Sequence, residues 1–127
     1  MTRSTVQTDL APTAMGPYSQ AVRHGNWLFC SGQVPIDPST GALTPGDVKQ
    51  QTRQVMKNLL AVLRAAGGGF EHVVKTTIYL ANLADFNAVN EVYAESFTQD
   101  PPARATVQVA GLPLRAKVEI EAIAILD

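Results

Sequence analysis

A chain of 127 residues, 46% apolar and 17% charged, has the composition of a folded domain and is too apolar to stay disordered. Ten Lys and Arg against eleven Asp and Glu leave a net charge of −1, and no window gathers a basic run, which excludes the broad cationic footprint of a nucleic-acid binder. The single cysteine, Cys30, excludes an internal disulfide and a cysteine-rich metal site, and it suits a reducing compartment.

The first ten residues lack the basic-then-apolar order of a secretory signal. No apolar run approaches the roughly 20 residues of a membrane span. No repeat or linker interrupts the chain. The expectation is one soluble, cytoplasmic domain over residues 1–127, with neither membrane nor nucleic acid as partner.

Thr5–Thr8 reads as a short strand, broken by Pro12. Met15-Gly16-Pro17 is a turn, and Tyr18–Arg23 follows as a strand. Gly25 marks a hairpin into Asn26–Gln33, an apolar and aromatic strand. Pro35 to Gly46 is rich in turn-formers and reads as a loop. Thr44-Pro45-Gly46-Asp47 has the form of a helix start, with Thr44 as cap and Pro45 at the first helical position. Val48, Thr52, Val55, Met56, Leu59, Val62, Leu63 and Ala66 then recur at three- and four-residue spacing, one apolar helix face. Gly67-Gly68-Gly69 stops that helix; it lacks the Lys-Ser/Thr ending of a phosphate loop.

Val73–Ala81 is β-branched and predicts a strand. A second helix is expected to start near Asn82–Asp85, bury Phe86, Val89, Tyr93 and Phe97, and stop at Asp100-Pro101-Pro102. Arg104–Val109 and Lys117–Leu126 are the last strands, separated by a turn at Leu112-Pro113. The main order is β-β-α-β-α-β-β. It predicts an α+β fold, a single sheet of about six strands with both helices on one face. Along the final strand, Val118, Ile120, Ala122, Ala124 and Leu126 alternate with positions that include Ile123 and Ile125. Neither face is convincingly wet, yet two helices cover only one. A closed homo-oligomer covering the other is therefore expected.

Six stretches in this order resemble one family. They are Gly16-Pro17-Tyr18-Ser19-Gln20-Ala21, Ser31-Gly32-Gln33, Lys75-Thr76-Thr77-Ile78-Tyr79-Leu80, Asp85-Phe86 with Val89-Asn90 and Tyr93, Pro102-Ala103-Arg104, and Val118-Glu119-Ile120-Glu121-Ala122-Ile123-Ala124. Together they resemble the reactive-intermediate deaminases, also called the RidA, YjgF or L-PSP family, over nearly the whole chain. The resemblance implies a chorismate-mutase-like fold and a homotrimer with sites between subunits. It also implies hydrolysis of small 2-imino or enamine acids, such as 2-iminobutanoate and 2-iminopropanoate, to 2-keto acids and ammonia. No metal or organic cofactor is implied.

Such a substrate needs a carboxylate clamp, a positioned water and hydrogen-bond donors. Arg104 suits the clamp, because a guanidinium grips a carboxylate through two parallel hydrogen bonds. Read alone it also suits a surface ion pair; the family's Pro-Ala-Arg arginine binds the substrate carboxylate, and Arg104 matches it. Glu119 lies among apolar neighbours, where desolvation raises a carboxylate's pKa towards a range useful for proton transfer. The family's corresponding glutamate holds the attacking water, and the motif register favours Glu119 over Glu121. The resemblance sets Tyr18 and Ser31 near the substrate, with Gly32 allowing close approach to the backbone. Asn90, on the second helix, is a candidate contributed by a neighbouring subunit. Thr106 departs from the family, many of whose members carry cysteine there. The family holds substrate through the backbone at that position, so substrate range rather than activity is in question.

Cys30 is expected to point away from Ser31 as a buried, inert thiol. His24 and His72 read as surface residues without metal-ligand spacing. Two other readings stay open: a small-carboxylate binding or chaperone-like module using the same pocket, and an endoribonuclease, an activity also associated with this family.

Overall fold

The computed structural model describes residues 2–127. Its strands and helices are β1 (Arg3–Val6), β2 (Ala21–His24), β3 (Trp27–Gln33), β4 (Ile36–Asp37), β5 (Ala42–Leu43), α1 (Val48–Ala65), β6 (Val73–Leu80), α2 (Phe86–Ala94), β7 (Ala103–Gln108) and β8 (Val118–Ile125). Six strands form one sheet in the order β1-β2-β3-β8-β6-β7. All neighbours are antiparallel except β6 and β7, which run parallel through the crossover that contains α2. The expected α+β class and the two helices on one sheet face are both observed.

Alternation along the strands builds the core. Leu28 and Cys30 of β3, Thr76, Ile78 and Leu80 of β6, and Val118, Ile120, Ala122 and Ala124 of β8 are buried on the helix side. Val55, Leu59, Val62 and Leu63 of α1 pack onto them, all fully buried. Tyr93 and Phe97 close the core from α2 and its following turn, their rings 4.7 Å apart.

Helix α1 starts later than the Thr44-Pro45 signal predicts. Thr44 donates its N–H to the Pro35 carbonyl at 2.8 Å, which holds it in the preceding loop. Gly46 then takes φ +113°, outside any helix. The cap is Asp47: its carboxylate accepts from the Gln50 N–H at 3.0 Å, and the Gln50 side chain accepts from the Asp47 N–H at 2.9 Å. This reciprocal pair satisfies two donors that an uncapped first turn would orphan. At the other end Gly67 takes φ +87° and Gly68 N–H returns to the Leu63 carbonyl, the expected glycine stop.

Other departures are local. The 35–46 loop carries the two-stranded β4–β5 hairpin. Tyr18 lies in the irregular segment before β2 rather than in the strand. Helix α2 ends at Ala94, well before Asp100; tighter i to i−3 turns carry the chain on, and Phe97 stays in the core. Phe86 is 37% exposed rather than buried, because it opens the helix at the rim.

Buried polar side chains fix the loops. Asn58 of α1 donates to the Val34 and Ile36 carbonyls at 3.2 and 2.8 Å. Gln51 accepts from the Lys117 N–H at 3.0 Å. Gln20 accepts from the Thr8 N–H at 2.7 Å and donates to the Pro12 carbonyl at 2.8 Å, strapping the N-terminal segment over β2. Each is hydrogen-bonded, as burial of an amide requires.

The face turned away from the helices is different. Trp27 and Phe29 stack there with ring centroids 6.0 Å apart and remain 48% and 45% exposed. Ile123 and Ile125 are their cross-strand partners on β8. Among the described residues, no helix is long and apolar enough to cross a membrane.

Candidate active site

The register of β3 against β8 slips between Cys30 and Gln33. Cys30 pairs with Ala122 and Gln33 with Ile120, so Ser31 and Gly32 together oppose Glu121. This bulge kinks β3 at the mouth of a cavity lined by Met15, Tyr18, Ser31, Gly32, Val34, Pro113, Glu119 and Glu121. Four of the expected site residues, Tyr18, Ser31, Gly32 and Glu119, thus meet in one place.

Gly32 makes room for the acid. A Cβ built on it would overlap the Glu119 Oε2 atom and stand 2.9 Å from its Cδ. The half-buried Glu119 carboxyl is pushed above the usual glutamate range, first by desolvation and second by the charge of Glu121. Glu121 is the acceptor of a 2.6 Å hydrogen bond from the Tyr79 phenol on β6.

The hydroxyls have distinct states. Ser31 Oγ donates to the Ser19 carbonyl at 2.6 Å, so it turns lone pairs, not its proton, to the cavity. Tyr18 Oη accepts from the Met15 N–H at 3.2 Å, which leaves its own proton free to donate. Ser31 N–H also bonds the Gln20 carbonyl at 3.0 Å, tying the bulge to the strap that carries Tyr18.

Arg104 lies elsewhere. It pairs in register with Thr76, a fully buried residue of the helix-side face, whereas Glu119 pairs with Tyr79 on the opposite face. Its guanidinium sits over the rings of Tyr93 and Phe86, 5.0 and 5.5 Å from their centroids. Tyr93 is held in turn by a 2.6 Å hydrogen bond between its hydroxyl and that of Thr76. Among the described residues no carboxylate pairs with Arg104. Asn90 falls on the same helical stripe as Phe86 and Tyr93, at i, i+4 and i+7. Thr106 follows Arg104 on its face of β7, and its buried Oγ1 makes no hydrogen bond among the described residues. β7 is the outermost strand, so its outer backbone edge is unpaired among the described residues.

The expected residues therefore form two groups on opposite faces of one sheet. Tyr18, Ser31, Gly32 and Glu119 make one; Arg104, Thr106 and Asn90 make the other. The sequence does not reveal the Tyr79 bond to Glu121, which depends on strand pairing, or the aromatic seat of Arg104, which depends on the packing of α2 beside β7.

Cys30 points into the core, and burial pushes its thiol up to about 12. His72 is a partly buried structural residue, contrary to the surface expectation: its Nδ1 accepts from the Gly69 N–H at 3.1 Å, and its Nε2 lies 3.3 Å from the Asp127 carboxylate. Among the described residues, no three His, Cys, Asp or Glu side chains gather to hold a metal ion.

A family model described as Endoribonuclease L-PSP matches residues 8–126. Protein DfrA of Myxococcus xanthus is 55% identical over 127 residues, covering 98% of this chain and 97% of that protein. The mouse (Mus musculus) protein named 2-iminobutanoate/2-iminopropanoate deaminase is 51% identical over 123 residues, covering 97% and 91%. The crystal structure of E. coli TdcF with bound serine superposes with a TM-score of 0.92 at 41% identity, covering 98% of this chain and 99% of that one. Family model, relatives and fold all extend over nearly the whole chain, which belongs to the L-PSP family of reactive-intermediate deaminases.

Proposed function

We infer that this protein hydrolyses small 2-imino acids to 2-keto acids and ammonia. The observation that carries the reading is identity of 51% over 123 residues to a protein named for that reaction. The geometry supports it: a half-buried glutamate of raised pKa stands in a hydroxyl-lined cavity, and an arginine that pairs with no carboxylate among the described residues rests on an aromatic seat. The lone buried thiol suits the reducing cytoplasm as its setting.

The two groups lie on opposite faces, so one chain cannot close both around a three-carbon or four-carbon acid. The occupant we propose for the open face is a second copy of the chain, in a closed trimer. Trp27, Phe29 and Ile125 supply the apolar contact. Arg104, Thr106 and Asn90 of one copy then meet Tyr18, Ser31, Gly32 and Glu119 of the next.

In that site Arg104 binds the substrate carboxylate bidentately. Backbone groups on the free edge at Ala105–Thr106 hold the other end. Glu119 takes a proton from water as the water oxygen attacks the C=N carbon. The π pair moves to nitrogen, which takes up a proton, with the Tyr18 hydroxyl within the same cavity as donor. The carbinolamine collapses: Glu119 returns its proton to the amine, the C–N bond breaks and ammonia leaves, and the hydroxyl passes its proton back to the Tyr18 oxygen as the carbonyl forms. Imine and water have become keto acid and ammonia, and Glu119 ends as it began.

RNA cleavage fits the cavity poorly. Neither His24 nor His72 lines it, and its two acids repel phosphate. The test is a coupled assay in which an amino-acid oxidase releases 2-iminobutanoate and semicarbazide traps what persists. Wild type should lower the trapped product and Arg104→Ala should not. Equal trapping with wild type and with no protein removes the deaminase reading in favour of a binding module.

A further inference from the structure

Two acids share one face of β8, two residues apart, at the mouth of the same cavity. The charge of Glu121 is felt at Glu119, and the proposed mechanism asks Glu119 to exchange a proton beside it. What separates them lies on the neighbouring strand. Tyr79 is the direct cross-strand partner of Glu119, yet its hydroxyl reaches diagonally to Glu121 Oε1 at 2.6 Å. Glu119 has no such bond and is the more confined, wedged against Gly32.

We propose that Tyr79 is a positioning residue: its phenol anchors the Glu121 carboxylate beside Glu119 and thereby leaves Glu119 as the acid that carries the exchangeable proton. This rests on the proposed role of Glu119 and adds a residue to it. The proton on Tyr79 is itself secure, since its pKa is raised, chiefly by the hydrogen bond to Glu121 and then by burial. Thr77, two residues back on β6, opposes that shift.

The other groups facing Glu119 are few. Glu121 comes from its own strand, Tyr79 from β6 and Tyr18 from the segment before β2; β3 offers the neutral Ser31 and Gly32. Lys75 stands further along the same face, where it lines an adjoining depression with Glu121. In the proposed trimer the Arg104 of a second copy joins them. Apart from Tyr79 and its hold on Glu121, these groups are untouched when Tyr79 becomes phenylalanine, a substitution that keeps the ring and removes only the hydroxyl. Glu121, half-exposed, is then free to turn towards water, and its charge acts on Glu119 from further away and through more solvent.

The experiment is a carboxyl 13C NMR titration of Glu119 in the whole protein, for wild type, Tyr79→Phe, Glu121→Gln and the double variant. Both single variants should lower the Glu119 midpoint, Glu121→Gln by about half a pH unit or more and Tyr79→Phe by less. The double variant should move no further than Glu121→Gln alone, because the phenol acts only through the carboxylate. An unmoved midpoint in Tyr79→Phe, or additive shifts in the double variant, overturns the proposal. A merely structural tyrosine would lower Tm without moving the midpoint. The acid limb of kcat/KM for imine hydrolysis should follow the NMR midpoints. If no hydrolysis is found in any form, the deaminase reading fails while the titration cycle still decides the role of Tyr79.

Discussion

The Glu119 carboxylate occupies the space that a side chain on Gly32 would fill. A bulge places the glycine there, and the strand beside it delivers the acid. Gly32→Ala should therefore displace the carboxylate while leaving the core intact, because the clash is with the tip of a flexible side chain. A misplacement of about 1 Å at a reacting group costs about 100-fold in rate, and we expect kcat/KM to fall by that order. Tm should change by only a few degrees. Activity within threefold of wild type would mean that Glu119 does not act from this position.

Arg104 is seated as a planar cation, stacked over Tyr93 and Phe86. Arg104→Lys keeps the charge but loses both the stacking plane and the two-pronged grip. Loss of a charge-assisted bond of about 1.5–3 kcal/mol predicts a rise in KM of about 10-fold to 100-fold for 2-iminobutanoate. Steady-state kinetics with a non-carboxylate imine provide the control, for which wild type and variant should differ little. A lysine variant with wild-type KM would refute the clamp.

Much of this arrangement was legible in the sequence, and the boundary is physical. Periodicity is local, so the α1 face from Val48 to Leu63 and the glycine stop at Gly67 could be read from spacing alone. The cap could not: Thr44-Pro45 and Asp47 with Gln50 both carry start signals, and the choice fell to the Thr44 bond to Pro35, a contact between loops. The motifs single out Tyr18, Ser31, Gly32 and Glu119, and these converge in space. That Arg104 faces the opposite side of the sheet was hidden, because strand parity means nothing until Thr76 and Tyr79 are paired with their neighbours. The reach of Tyr79 to Glu121 is hidden for the same reason.

Cys30 sits on the helix side of β3 with its thiol pushed up to about 12 by burial. At pH 8 the native protein should resist a disulfide-exchange reagent and react only on unfolding, since the thiolate is the attacking species. One equivalent should then appear under denaturant. Rapid native labelling with full activity retained would show that the core around β3 opens readily.

The raised pKa of Glu119 makes a stability prediction of definite sign. An acid whose folded pKa exceeds its unfolded value favours the folded state when protonated. That contribution is fully present below the unfolded value of about 4.3 and is lost as pH rises through the folded value. At neutral pH the ionised Glu119 is therefore a liability that Glu119→Gln removes. The variant should be inactive yet have the higher Tm at pH 7 to 8, with the gap closing below about pH 4, at fixed protein concentration. A variant less stable than wild type at pH 8 would mean that the ionised carboxylate is better compensated than its surroundings imply.

The separation of Arg104 and Glu119 onto opposite faces has a sharper test, because it makes two defects complementary. If each site joins Arg104 of one copy to Glu119 of the next, Arg104→Ala and Glu119→Gln chains are each inactive alone. Unfolded together and refolded as a mixture, they form some junctions that unite an intact Arg104 with an intact Glu119. For random assembly from equal amounts, about a quarter of the sites are intact, and that fraction of wild-type kcat should return with an unchanged KM. Trp27→Glu with Phe29→Glu should abolish the recovery by keeping the chains apart, which light scattering would register as monomers. No recovery in a mixture shown by mass spectrometry to contain hybrid assemblies would mean that both residues act within one chain, against the register of β6, β7 and β8.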